Sequence, residues 1–210
     1  PDGVTRITER AFAHCSNLTS VKLSDGLETI GKGAFKHCHS LTHIVIPDRV
    51  IQIGDEAFLG CDKLASINIP DSVINIGDCV FSGCDSLTTV VAKPSILTGR
   101  ELKHMAVLTF LRIPEVFSAG QAEDCKKYLC SQKQQLLPDI FRSDLVYAMQ
   151  VLTDSGKITI NNFDSVFLKP AIKANATQCV AFLMDWENKN VSIEDREKFV
   201  EKEFNKDPFN

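Results

Sequence analysis

The chain has no uninterrupted apolar run longer than a few residues, far short of the ~20 that cross a bilayer as a helix, so no membrane insertion is expected. It also lacks a charge excess: the formal net charge is −4. Residues 1–98 carry 8 Lys or Arg against 11 Asp or Glu, and residues 99–210 carry 15 against 16. Neither half has the basic surplus that neutralises a phosphate backbone, which argues against nucleic acid as a partner. No C-x-x-C spacing occurs among the eight cysteines. A metal would need three or four ligands converging at about 2.0–2.3 Å, so no metal and no cofactor are expected. No nucleophile, base and oxyanion donor form a convergent set, and the chain is expected not to be an enzyme. It begins at Pro1 with neither Met nor a signal-peptide pattern. That is expected of a piece of something longer, whose upstream N-terminus would decide between the cell surface, secretion and the cytoplasm.

What the chain does have is a repeat. Four stretches align without a gap: AFAHCSNL from Ala11, AFKHCHSL from Ala34, AFLGCDKL from Ala57 and VFSGCDSL from Val80, always 23 residues apart. Phe12, Phe35, Phe58 and Phe81 hold one position, Cys15, Cys38, Cys61 and Cys84 another, and Leu18, Leu41, Leu64 and Leu87 a third. Val21, Ile44, Ile67 and Val90 continue the pattern, followed by Leu23, Ile46, Ile69 and Ala92. Farther on come Asp25, Asp48 and Asp71, then Ile30, Ile53 and Ile76, each Ile followed by Gly. A unit this short cannot bury its apolar face alone and must stack on its neighbours, which is the physics of a solenoid.

Alternation at Ile44 and Ile46 reads as a short strand that Pro47 ends, and Asp48 suits the turn after it. A second extended run, Val50 to Ile53, leads to a turn at Gly54. The A-F-x-x-C piece is expected as a short helix or 3₁₀ segment that drops Phe and Cys into the core.

The pattern I-P-D-x-V-x-x-I-G-x-x-A-F-x-x-C-x-x-L-x-x-I, in phase over residues 1–98, resembles the BspA-like, or Treponema-type, leucine-rich repeat. The resemblance implies a non-enzymatic array whose members are commonly bacterial, often surface-associated, and credited with binding other proteins.

In stacked coils the four repeat cysteines become rungs of an internal column, where a free thiol behaves as a small hydrophobe. Rungs in register point their Cβ atoms the same way, which suits a disulfide badly. All eight thiols are therefore expected to be free. His14 and His37 occupy the place where the next two repeats have Gly60 and Gly83, and His39 stands where Asp62 and Asp85 do; these are expected as variable neighbours of the core. By the family's geometry, the candidate concave binding surface comprises Ser20, Lys22, Thr42, His43, Val45, Ser66, Asn68, Thr89 and Val91. No aromatic or Arg cluster marks a hot spot on it.

After Val91 the period becomes helical. Helices are expected over 99–112, interrupted at Pro114, and over 120–137. A third holds Leu145, Ala148, Met149 and Leu152, with Ser143 or Asp144 as cap and Gly156 as stop. A further helix runs from about Phe163 to Ala174, kinked at Pro170, and another is lined by Val180, Leu183 and Met184. Ser192 and Asp195 read as a capping box before a last helix holding Phe199 and Phe204. Leu168 to Asn190 weakly resembles an ankyrin hairpin, without the T-P-L-H-x-A signature. Trp186 is expected half-buried at a helix edge.

The expected fold is α+β. A right-handed leucine-rich repeat solenoid of about four 23-residue coils with short parallel strands spans residues 1–98, and an all-α helical-hairpin domain spans 99–210. The helical region is expected to cover the open end of the solenoid, whose last coil would otherwise expose its core. The expected function is a repeat scaffold for protein–protein interaction, with bacterial surface or host binding as its setting and a monomer in solution. The alternative is a structural spacer or terminating cap with no ligand of its own.

Overall fold

A computed structural model describes residues 3–192 of the chain; the expected last helix lies outside them. The chain forms two compact units, Pro1–Ser131 and Gln132–Asn210. Strand gives way to helix near residue 98, but the first helix and the start of the second belong to the unit that contains the repeats.

Within the first unit, β1 (Arg6–Ile7), β2 (Thr29–Ile30), β3 (Gln52–Ile53) and β5 (Asn75–Ile76) form a parallel ladder in which Arg6 pairs with Thr29, Thr29 with Gln52, and Gln52 with Asn75. Each step is 23 residues. A second ladder pairs β4 (Ser66–Asn68) with β6 (Thr89–Val91), Ser66 opposite Thr89, again 23 residues apart. The longer ladder thus comes from the second extended run of each repeat. Ile44 and Ile46 do alternate inward, both buried, but residues 42–46 form no strand. They share single bonds with their neighbours, Thr42 N–H to Thr19 O at 3.1 Å and Ala65 N–H to Thr42 O at 3.3 Å. The ladder is complete only where α1 (Arg100–Arg112) packs on β6 and Val90 N–H donates to the buried Thr109 hydroxyl at 3.2 Å.

The core is a set of columns. Phe12, Phe35, Phe58 and Phe81 stack with centroids 5.2, 5.4 and 5.7 Å apart and planes within 4° of parallel. Each such pair adds about 0.5–1.5 kcal/mol beyond the burial of its apolar area. Beside them the thiols of Cys38, Cys61 and Cys84 donate to the carbonyls of Phe12, Phe35 and Phe58, at 3.1, 3.2 and 3.2 Å. Cys15 breaks the expected column: it is exposed, because among the described residues nothing packs on the outer side of the first repeat. Gly54 fits where no side chain could. A β-carbon there would stand 2.6 Å from the backbone nitrogen of Lys32 in the repeat before.

The A-F-x-x-C segments are successive turns rather than helices. In the second repeat Lys36 N–H bonds Gly33 O, Cys38 N–H bonds Phe35 O, and Leu41 N–H bonds Cys38 O, at 3.0–3.2 Å. Left-handed backbone at Gly33 (φ 58°) and His37 (φ 58°) prevents a helical run.

The last repeat is covered by α1 and by the beginning of α2 (Ala119–Arg142). Ser118 and Gln121 form a reciprocal capping box, Ser118 N–H to Gln121 Oε1 at 2.9 Å and Gln121 N–H to Ser118 Oγ at 3.1 Å. The buried Gln121 also donates from Nε2 to Ile69 O at 2.8 Å. Asp71 accepts from the Ser118 hydroxyl at 2.6 Å and pairs with Lys93 at 3.1 Å. A capping helix must bring partners for the polar groups it buries, and Gln121 and Thr109 supply them. Helix α2 departs from helical geometry at Gln132 (φ −111°, ψ 19°).

The second unit contains α3 (Val146–Asp154), a short α4 (Ile160–Asn162), a π-helical turn (Phe163–Leu168), α5 (Lys169–Lys173) and α6 (Thr177–Asn190). Residues 160–173 run on in helical backbone, and the π-helical turn ends just before Lys169 and Pro170, so the expected helix is irregular there. Asp144 does not cap α3, whose N-cap is Leu145 without a side-chain bond. Its carboxylate instead accepts from Gln178 N–H and Cys179 N–H, both at 2.9 Å, and from the Thr177 hydroxyl at 3.3 Å, at the start of α6. Leu183 is buried and Met184 faces outward. Trp186 is half-buried and stacks on Phe163, centroids 5.2 Å apart.

Candidate interaction surface

The alternation of β4 turns Ile67 inward and leaves Ser66 and Asn68 exposed. The 23-residue register carries that facing to neighbouring repeats. Ser20, Lys22, Thr42, His43 and Val45 are exposed with them, Val45 at 72%. Thr42 and Thr88 occupy the same slot and direct their hydroxyls to carbonyls one repeat back, Thr19 at 3.3 Å and Ala65 at 3.5 Å. His43 Nδ1 lies 3.4 Å from the Thr42 hydroxyl. Two expected members fare differently. Thr89 is half-buried and Val91 is buried, at 7% exposure, because α1 packs on the strand that holds them. Val91 therefore belongs to the covered end of the array and not to an open face.

Elsewhere on the repeats, charged residues pair in rows, Lys36 with Glu56 at 2.6 Å and Lys32 with Asp55 at 3.9 Å. Lys36 holds the Glu56 carboxyl below the usual range by its hydrogen bond first and its charge second. His14, His37 and His39 lie against one another, and His39 Nδ1 stands 2.9 Å from the Asp62 carboxylate. His39 and His43 are four residues apart, but the backbone between them is not helical, so they do not stand one helical turn apart on one face. Among the described residues no three metal-ligating groups converge.

The cysteines offer no nucleophile in the core. Burial pushes the Cys38 and Cys84 thiols up to about 11, and those of Cys61, Cys125 and Cys179 up to about 12. A thiol so raised holds almost no thiolate at neutral pH. All eight cysteines are free, with Cys15 and Cys79 exposed.

The second unit carries a cavity of about 680 Å³ lined by Leu137, Pro138, Phe141, Arg142, Val166 and Pro170, among others. Its residues are scattered over 41 positions of sequence, from Gln134 to Ala174, and no periodicity announces it. None of the described helices is long and apolar enough to cross a membrane.

Comparison with known proteins bears on the repeats. The family model of the BspA type leucine rich repeat region matches residues 1–101, in six copies, where spacing alone suggests about four coils. Three solved structures are similar over part of the chain. A leucine-rich repeat protein from Bacteroides ovatus is 42% identical over 43% of this chain and 24% of its own, with a TM-score of 0.42. The leucine-rich repeat protein of T. pallidum is 38% identical over 45% of this chain and 44% of its own, with a TM-score of 0.43. A leucine rich cell surface protein from Faecalibacterium prausnitzii is 30% identical over 52% of this chain and 34% of its own, with a TM-score of 0.38. This chain therefore spans less than half the length of each of these three. Comparison with curated proteins finds no match. With the 23-residue register, the phenylalanine and cysteine columns and the family match in agreement, residues 1–101 form a BspA-type leucine-rich repeat region.

Proposed function

We propose that the repeat region, as a right-handed solenoid of about four coils, is a non-enzymatic scaffold that binds another protein through its open face, in a bacterial surface or host-binding setting. The observation that carries this reading is the in-register exposure of Ser20, Lys22, Thr42, His43, Val45, Ser66 and Asn68. Their backbone is fixed by stacked core columns, so the side chains are presented without a loop to order on binding, which lowers the entropic cost of recognition. Thr89 and Val91 drop out of the face and leave its centre at Thr42, Val45 and Asn68.

The second reading is a spacer or terminating cap with no ligand of its own. It is favoured by the absence of any aromatic or arginine side chain on this face, since such residues dominate binding hot spots. The two readings separate in an affinity capture from bacterial and host lysates. The full chain is compared with a triple variant, Thr42→Glu, Val45→Glu and Asn68→Glu. Loss of the captured protein in the variant supports binding through this face. Equal capture by both proteins excludes the face, and capture of nothing by either favours the spacer.

A further inference from the structure

Three imidazoles form a column over the seam between the first two repeats. The ring centroids of His14 and His37 are 5.0 Å apart, and those of His37 and His39 are 5.5 Å apart. His14 and His37 hold one place in successive repeats, both in left-handed backbone, φ 62° and 58°. In the next two repeats that place is Gly60 and Gly83, φ 70° and 71°. Left-handed backbone suits glycine, so the histidines are an addition to this turn and not a requirement of it. The His37 ring reaches over the following repeat, where a β-carbon on Gly60 would stand 2.5 Å from its Nδ1.

The charged surroundings of His37 are mostly hostile to a proton. His14 faces His37 from the repeat before, Lys36 and His39 from its own, and Asp62 from the repeat after. Lys36 is engaged by Glu56 at 2.6 Å, and the Asp62 carboxylate by His39 at 2.9 Å. Burial first, then His14, Lys36 and His39, hold His37 below the ordinary histidine value of 6.5, with Asp62 pulling the other way.

We propose that the His14, His37 and His39 column is a proton-operated latch that loosens the seam between the first two repeats in mildly acidic solution. With the rings neutral, those of His14 and His37 lie tilted against each other across the seam, and His39 stacks on His37. Once more than one is protonated, like charges stand 5.0–5.5 Å apart along the column. A group whose folded pKa is depressed binds fewer protons folded than unfolded. The seam is therefore intact above the ordinary histidine value and weakens as the pH falls below it.

The repeats supply their own control. The first seam is closed by Arg10 N–H to Lys32 O at 2.9 Å and Phe12 N–H to Ala34 O at 2.8 Å. The third is closed by equivalent bonds, Glu56 N–H to Asp78 O at 2.9 Å and Phe58 N–H to Val80 O at 3.0 Å, beside glycines instead of histidines. Amide hydrogen exchange on the full chain, corrected for the intrinsic pH dependence, reads both seams at pH 7.5 and 5.5. The latch predicts that protection at Arg10 and Phe12 falls roughly fivefold or more at pH 5.5, while Glu56 and Phe58 keep theirs. About 1 M salt, by screening the charges, restores the first seam. In a His14→Asn, His37→Asn variant, which tolerates left-handed backbone and does not titrate, the fall disappears. Unchanged protection at Arg10 and Phe12, an equal loss at both seams, or a loss that persists in salt or in the variant overturns the proposal.

Discussion

Phe58 is the residue on which the packing argument is easiest to test. Its ring lies between Phe35 and Phe81, at 5.4 and 5.7 Å, and is fully buried. Phe58→Ala removes both stacks and opens a cavity, with an expected loss of about 3–5 kcal/mol in urea-induced unfolding. A loss under about 1 kcal/mol would mean that the column is not close-packed. The thiols give a second test. Alkylation of native protein is expected at the exposed Cys15 and Cys79, and not at Cys38, Cys61, Cys84, Cys125 or Cys179 until denaturant is added. Rapid native labelling of Cys61 would contradict its place as a rung. The phenylalanine and cysteine columns were legible in the sequence because a fixed period writes the same contact at every step. The exposure of Cys15 was not, since a period says which residues share a column and not which end of the column is covered.

At the scale of the element, what the sequence hid is what depends on left-handed residues and distant partners. The A-F-x-x-C segment looks helical by composition, yet His14, His37, Gly60 and Gly83 all have positive φ, and the segment closes as turns. Asp144 reads locally as the cap of α3. It serves α6 because a tight turn, with Asp144 itself at φ 48°, aims its carboxylate at amides 34 and 35 residues away. Asp144→Ala is expected to cost about 1 kcal/mol, as loss of an N-cap. Burial pushes the Asp144 carboxyl up, but the bonds from Gln178, Cys179 and Thr177 together outweigh it and hold the carboxyl below its usual value of 3.8. Its contribution is therefore complete above that ordinary value and is lost as the pH falls through the depressed one. Wild type and Asp144→Ala should converge in thermal stability in strong acid and reach their full separation by about pH 4; a constant difference at every pH would dismiss the cap. Gln121 is the corresponding element of the first unit. Gln121→Ala strands the Ile69 carbonyl and the Ser118 N–H, and about 1–3 kcal/mol of stability should go with them. Thermal denaturation of the variant reads that loss, and an unchanged midpoint would remove Gln121 from the cap.

For the whole molecule, strand gives way to helix near residue 98, where the period changes, while the compact units divide at Ser131 and Gln132. The difference has a physical source. The last repeat needs a cover for Val90, Val91 and Ala92, and α1 with the first turns of α2 provides it, so those helices fold with the repeats. The same cover removes Val91 from the open face, which nothing in the strand's own sequence could announce. The proposed face is then the exposed set from Ser20 to Asn68. The most direct measurement of the binding claim is amide hydrogen exchange on the full chain, with and without the protein it captures. Added protection over residues 42–46 and 66–68 is the predicted result, and protection confined to residues 134–174, around the cavity of the second unit, would contradict it.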